Sequence, residues 1–106
     1  MTINTELARA LTQLETELRQ CGVWQPQSPS REALMSNEPF AIDTLAPEQW
    51  LQWVFIPKMS ALLEQQATLP SDFSIAPYFE ETWKHQPEFS EVIALVTYID
   101  EVCKAC

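Results

Sequence analysis

Glycine is almost missing from this chain of 106 residues; Gly22 stands alone. Average usage is about 7%, and glycine supplies the positive-φ turns of tight hairpins, so its scarcity argues against a sheet. It also excludes a phosphate-cradling glycine loop. Histidine is equally scarce, with His85 alone, which removes most histidine-based metal sites. Cations are few: Arg9, Arg19, Arg31, Lys58, Lys84 and Lys104 stand against fifteen carboxylates, and the net charge is −9. They form no basic run. Such a field repels phosphate backbones and anionic membrane surfaces, so neither direct nucleic-acid binding nor membrane association is expected. No stretch reaches the ~20 apolar residues of a membrane span. The start, MTINTELARA, lacks the charged and apolar regions of a signal peptide. The expected location is the cytoplasm.

Cysteine gives no even disulfide framework, since there are three: Cys21, Cys103 and Cys106. Cys103 and Cys106 form a lone CxxC at the C-terminal end. A redox pair belongs at a helix start, where the dipole lowers a thiol pKa. This one follows a helix, beside acidic Asp100 and Glu101. Zinc would need two further ligands, and only Cys21 and His85 are on offer. The pair reads as a frayed tail, and no metal or other cofactor is expected.

What the chain does contain is apolar and aromatic: 46% hydrophobic and 10% aromatic residues, the mark of a folded globule. Its length fits one domain, 1–106, burying about two-thirds of the surface its unfolded chain exposes. Eight prolines take over the punctuation that glycine leaves undone. The densest stretch runs from Glu38 to Met59, EPFAIDTLAPEQWLQWVFIPKM. There Trp50, Leu51, Trp53, Val54, Phe55, Ile56 and Met59 cover nearly the whole circumference of a helix. Such a helix must be buried on most sides or held for a partner.

The elements follow from spacing. Leu7, Leu11, Leu14 and Leu18 recur on one stripe and predict a first helix over 4–21, capped by Asn4 or Thr5 and closed by Gly22. Residues 23–43 read as a long connection broken by Pro26, Pro29 and Pro39, its ends pinned to the core by Trp24 and Phe40. A second helix is predicted over 45–67, capped by Asp43 or Thr44, with Pro47 in its first turn. Pro57 must kink or break it. A short aromatic helix over 75–84 starts at Ser74 as a cap. The last, over 87–104, opens at Pro87 and turns Phe89, Val92, Ile93, Val96, Ile99 and Cys103 to one face, with Glu91 and Asp100 off it. The class is all-α.

The run PFAIDTLAPEQWLQWVFIPKM, followed by LP, F and APYFE, resembles the YqcC-like family of small bacterial proteins. The spacing D-T-x-x-P-x-x-W-L-Q-W-V-x-I-P carries the resemblance, which covers most of the chain. It implies a compact bundle of about four helices. It also implies an association with a tRNA pseudouridine synthase, drawn from neighbouring genes, and no established catalytic residues. Pseudouridine synthases share a catalytic Asp in a much larger mixed fold; this chain is too short and too helical to be one.

Six residues are candidates for an interaction surface or pocket: Asp43, Trp50, Trp53, Lys58, Tyr78 and Trp83. Asp43 is the carboxylate embedded in the aromatic stretch. It serves as an acid, base or ligand anchor on one reading and as a helix cap on the other, and the cap is preferred. Trp50 and Trp53 could stack a base, but the cationic groove that such sites need is missing, so core packing is preferred. Lys58 reads as snorkelling at the core's edge. Tyr78 needs a partner for its hydroxyl if buried. Two functions remain open. The first is a non-catalytic interaction module that leaves some of Trp24, Trp50, Phe55, Tyr78 and Trp83 exposed as one apolar patch for another protein or a second copy. The tRNA-modification accessory is a case of it, in which the acidic surface binds a basic enzyme and not the RNA. The second is a ligand-binding or enzymatic protein with Asp43, Tyr78 and Lys58 converging on a pocket between the second helix and the aromatic one.

Overall fold

A computed structural model of the chain describes residues 3–70 and 73–104, and the regular elements in them are all helical. The first, α1 (Ile3–Gln20), buries Leu7, Ala10, Leu11, Leu14 and Leu18 along one stripe. It ends on left-handed Gly22, φ 77°. The Val23 amide reaches back to the Leu18 carbonyl at 3.2 Å and the Gly22 amide to the Arg19 carbonyl at 3.1 Å. This double closure satisfies carbonyls that a helix end otherwise leaves orphaned.

The connection that follows has structure of its own. A single turn, α2 (Arg31–Leu34), is capped by Ser30, whose Oγ accepts from the Ala33 amide at 3.2 Å. A 3₁₀ turn, Pro39–Ala41, comes next. Trp24 and Phe40 are half-buried and pack against the core.

A continuous rod crosses the molecule after it: α3 (Pro47–Trp50), a π turn (Leu51–Phe55) and α4 (Ile56–Glu64). The interruption that Pro57 predicts takes the form of this π turn just ahead of it. Proline has no amide to donate and its ring crowds the preceding turn, so a widened turn before it lets the helix continue. The Ile56 amide bonds to the Leu51 carbonyl, and the backbone stays right-handed helical through Trp50, Leu51, Phe55 and Ile56. The rod then closes as α1 does, around Gln66 at φ 54°, with the Ala67 amide on the Leu62 carbonyl at 3.0 Å.

Two caps fall elsewhere than expected. Neither Asp43 nor Thr44 starts the rod; its first turn is closed by Gln49, whose Oε1 accepts from the Ala46 amide at 2.7 Å. The chain makes an extra turn beforehand, with the Leu45 amide on the Ala41 carbonyl at 2.8 Å, so the helix starts only at Pro47. Nor does Ser74 cap α5 (Ala76–Thr82). Asp100 does so from α6 (Ser90–Lys104), whose entry is the 3₁₀ turn Pro87–Phe89. Expected off the apolar face, Asp100 is 3% exposed.

The core lies where α1 runs along α6, with α4 against α1 and α5 against α6. Leu7, Leu14, Leu51, Phe79, Val92, Val96 and Ile99 meet there with no exposed surface. The radius of gyration, 13.4 Å, is that of a compact chain of this length. No helix among the described residues is long and apolar enough to cross a membrane.

Candidate functional site

The rod is buried on different sides by different neighbours. Leu51, Phe55 and Met59, four residues apart, face the core. Gln52, next to Leu51, turns toward the connection and is 5% exposed. Its Oε1 accepts from the Gln25 amide at 2.8 Å, and its Nε2 donates to the Gln25 carbonyl at 2.7 Å. One side chain thus meets both backbone groups of one residue, as a neighbouring strand would. The Gln25 side chain repays the contact: its Oε1 accepts from Trp53 Nε1 at 3.1 Å and from Gln49 Nε2 at 3.2 Å. A buried amide bonded through both its oxygen and its nitrogen fixes one position for the loop.

Beside this clamp lies an open groove of about 510 Å³ lined by Arg19, Trp24, Gln25, Pro26, Gln52 and Trp53, with Pro57 at its edge. The Arg19 guanidinium sits 4.7 Å from the Trp24 ring centre, and its Nε donates to Glu15 at 2.9 Å. Both interactions hold the cation on the surface of α1.

On another side of the rod Trp50 joins an aromatic cluster. Phe40 stacks on Tyr78 with centroids 4.1 Å apart and planes 13° from parallel, and lies 4.9 Å from Trp50. Phe79 contacts Phe40, Trp50, Tyr78 and Trp83. Next to it, an apolar groove of about 340 Å³ runs between the rod and the approach to α5, lined by Trp50, Val54, Phe55, Lys58, Met59, Pro70, Phe73 and Ile75.

Of the six candidates, Trp50, Tyr78 and Trp83 meet around Phe79, while Asp43, Trp53 and Lys58 stand apart from that cluster. Trp50 and Lys58 share the apolar groove. Trp53 belongs to the Gln25 clamp. Asp43 is exposed and accepts from Ser36 Oγ at 2.5 Å, while Tyr78 is stacked on Phe40, so neither lines that groove. Trp83 is 3% exposed, stacked on Phe89 at 4.2 Å. Of the five aromatics expected to supply an apolar patch, Trp50 and Phe55 line the groove by Phe73 together, while Trp24 lines the separate groove by Gln25. Trp83 and Phe55 are core.

The roles of Asp100, Gln25 and Gln52 do not follow from the sequence pattern. Asp100 stands four residues after buried Val96, on the edge of the apolar stripe, and that spacing was the available signal. Cys103, read as part of a frayed tail, is buried in α6; Cys106 lies outside the described residues. Cys21, half-buried, donates from Sγ to the Glu88 carbonyl at 3.4 Å. Burial, with Glu17 and Glu88 nearby, pushes its thiol pKa up. Among the described residues no group of three or more His, Cys, Asp or Glu is placed to hold a metal.

A family model described as tRNA pseudouridine synthase C matches residues 6–102, almost the whole chain. The chain belongs to the DUF446 family. It is similar to YqcC of Escherichia coli, 40% identical over 80 residues that make up 76% of this chain and 73% of YqcC. The solution NMR structure of that protein superposes with a TM-score of 0.86 at 33% identity, covering 98% of this chain and 90% of the other. The YqcC-like resemblance and the all-helical fold thus both stand. A Haemophilus influenzae relative described as uncharacterized is 44% identical over 92 residues, 87% of each chain. A Pectobacterium carotovorum relative named tRNA pseudouridine synthase C is 39% identical over 84 residues, 79% of this chain and 22% of that one. The chain therefore corresponds to about a fifth of the relative that bears the enzyme's name.

Proposed function

We propose that the chain is a non-catalytic protein-interaction module that works beside a tRNA pseudouridine synthase in the cytoplasm. One observation carries the reading. In the Pectobacterium relative, the part similar to this chain is 22% of a longer protein with the enzyme's name, whereas in the Haemophilus relative it is 87% of the protein. A unit that forms part of a protein bearing an enzyme's name in one bacterium and makes up most of a protein in another is expected to act in that enzyme's company. Charge supports this. At −9 the chain is ill suited to grip tRNA itself, while an enzyme that holds tRNA must present cations to it. An acidic partner suits such a surface.

The candidate chemistry also favours contact over catalysis. Asp43 is engaged by Ser36, Tyr78 by Phe40, and Trp83 by Phe89. The test is gel filtration of the purified chain mixed with the tRNA pseudouridine synthase C of the same bacterium. A complex that forms at low salt and weakens as salt rises is expected. Separate elution at every salt concentration overturns the reading.

A second reading draws on the apolar groove beside Trp50, whose volume lies within the range of small-molecule sites. It calls for an apolar ligand with an anionic end that Lys58 can meet. Quenching of tryptophan fluorescence by a medium-chain carboxylate, lost in Lys58→Ala, is its expected signature. Equal quenching in both proteins removes it.

A further inference from the structure

The most exposed large apolar side chains among the described residues are not those of the tryptophan-rich rod. They are Met35 at 69%, Ile42 at 61%, Tyr98 at 42% and Leu34 at 37%. Three of these four sit in the connection. Two ties hold that part of the connection as one lobe. Thr44 Oγ1 donates to the Ala33 carbonyl at 2.7 Å. Ser36 Oγ donates to Asp43 at 2.5 Å and accepts from the Glu38 amide at 3.1 Å. The end of α2, with Leu34 and Met35, is thereby set beside the turn that carries Ile42.

That turn is held in an unfavourable backbone. Phe40 and Ala41 are consecutive left-handed residues, φ 59° and 49°, and neither is glycine. Left-handed residues with side chains are costly, and they persist where the surroundings hold them, often at binding surfaces. Here the surroundings are the Phe40–Tyr78 stack and the burial of Ala41. Ile42 follows directly and points to solvent. Carboxylates mark the same lobe: Glu32, Glu38 and Asp43 are all exposed, against the single cation Arg31.

We propose that this lobe docks a basic amphipathic helix of a partner protein. The helix lays its apolar stripe on Leu34, Met35 and Ile42 and sets its lysines and arginines against Glu32, Glu38 and Asp43. The proposal rests on the interaction reading above and names its surface. Charge decides the occupant. A second copy would set this acidic rim against itself. Nucleic acid and anionic lipid meet the same repulsion. A cationic helix with an apolar stripe satisfies both parts of the lobe at once.

Two pairs of substitutions test it, all at exposed positions: Met35→Ser with Ile42→Ser, and Glu32→Gln with Glu38→Gln. Circular dichroism checks that each variant folds. The first probe is a fluorescein-labelled model peptide with Leu and Lys at helical spacing, read by anisotropy. Loss of at least tenfold in affinity is expected for the apolar pair, and a shallower salt dependence for the carboxylate pair. Tyr98→Ser should bind as the unaltered chain does. Undiminished peptide affinity in the apolar pair overturns the proposal, and so does a homodimer that this pair dissolves. The second probe is the tRNA pseudouridine synthase C. If it binds the unaltered chain and the apolar pair equally, the lobe is not the docking surface although the interaction reading stands. If it binds neither while the peptide depends on the lobe, the surface stands and the enzyme reading falls.

Discussion

Asp100 caps a helix to which it does not belong. Its two carboxylate oxygens take the Ile75 amide at 2.9 and 3.1 Å, and one also takes the Ala76 amide at 2.8 Å. Ser74 Oγ adds a longer bond at 3.4 Å. The first amides of α5 have no partner inside their own helix, and this one anion from α6 supplies it. The contact fastens α5, and with it Tyr78 and Phe79 of the aromatic cluster, to the core helix α6.

Removing that carboxylate leaves buried amides unsatisfied. Asp100→Ala should lower stability by about 2–4 kcal/mol, the scale of two amides losing a charged acceptor in a buried place. Asp100→Asn keeps one acceptor oxygen and should lose about half as much. Urea denaturation followed by circular dichroism measures both. A loss in Asp100→Ala within about 0.5 kcal/mol of zero, the range of ordinary surface changes, would show that the cap is unimportant.

What was legible in the sequence was local, and what was hidden was long-range. The stripe of Leu7, Leu11, Leu14 and Leu18 defines a helix through neighbours one turn apart, so α1 could be read directly. Gly22 marked its end because a left-handed residue is usually glycine. Phe40, Ala41 and Gln66 adopt the same handedness without that mark, and nothing local announces them. The order in the connection comes from pairs distant along the chain, such as Gln25 with Gln52 and Ala33 with Thr44. Residue type alone makes Trp83 a candidate surface anchor, but its burial depends on Phe89, reached across a turn. Aromatic identity shows that a ring needs company, not which company.

The Gln25–Gln52 clamp should behave asymmetrically. Gln52 supplies both bonds to the backbone of residue 25, so Gln52→Ala strands a partly buried amide and carbonyl and should lose about 1–3 kcal/mol. Gln25→Ala keeps those two bonds and gives up only the contacts of its own side chain with Trp53 and Gln49, so it should lose about 1 kcal/mol or less. Hydrogen exchange at the residue 25 amide separates the cases: fast in Gln52→Ala and protected in Gln25→Ala. Equal protection in both would mean that the clamp does not hold the connection down.

Cys21 should be a sluggish nucleophile. Burial first, then the Glu17 and Glu88 carboxylates, raise its pKa above the ordinary thiol value, so thiolate is scarce near neutral pH. Alkylation by iodoacetamide, mapped by peptide mass, should be slower at Cys21 than at a free thiol at pH 8. The rate should keep climbing with pH beyond the range where ordinary thiols have levelled off. Glu17→Gln combined with Glu88→Gln should speed it at pH 8. A rate at pH 8 equal to that of a free thiol contradicts the raised pKa.

Gly22 and Gln66 hold equivalent positions, each the left-handed residue that closes a helix with paired bonds to its last carbonyls. One is glycine and the other is not, so exchanging side chains at the two sites should have opposite effects. A Cβ at Gly22 would meet nothing within 4 Å, so Gly22→Ala carries no steric clash and isolates the backbone preference. It should destabilise the chain by about 1–2 kcal/mol, the cost of left-handed φ for a residue with a side chain. Gln66 is exposed, so Gln66→Gly sacrifices little packing and relieves the same cost. The gain is reduced by the greater freedom glycine has in the unfolded chain, leaving about 0.5–1 kcal/mol. Thermal and urea unfolding of the two variants and of the double variant measure both signs. The sites close different helices, so their effects should add within about 0.5 kcal/mol. A Gln66→Gly chain less stable than the original would mean that the Gln66 side chain contributes more than its backbone strain removes.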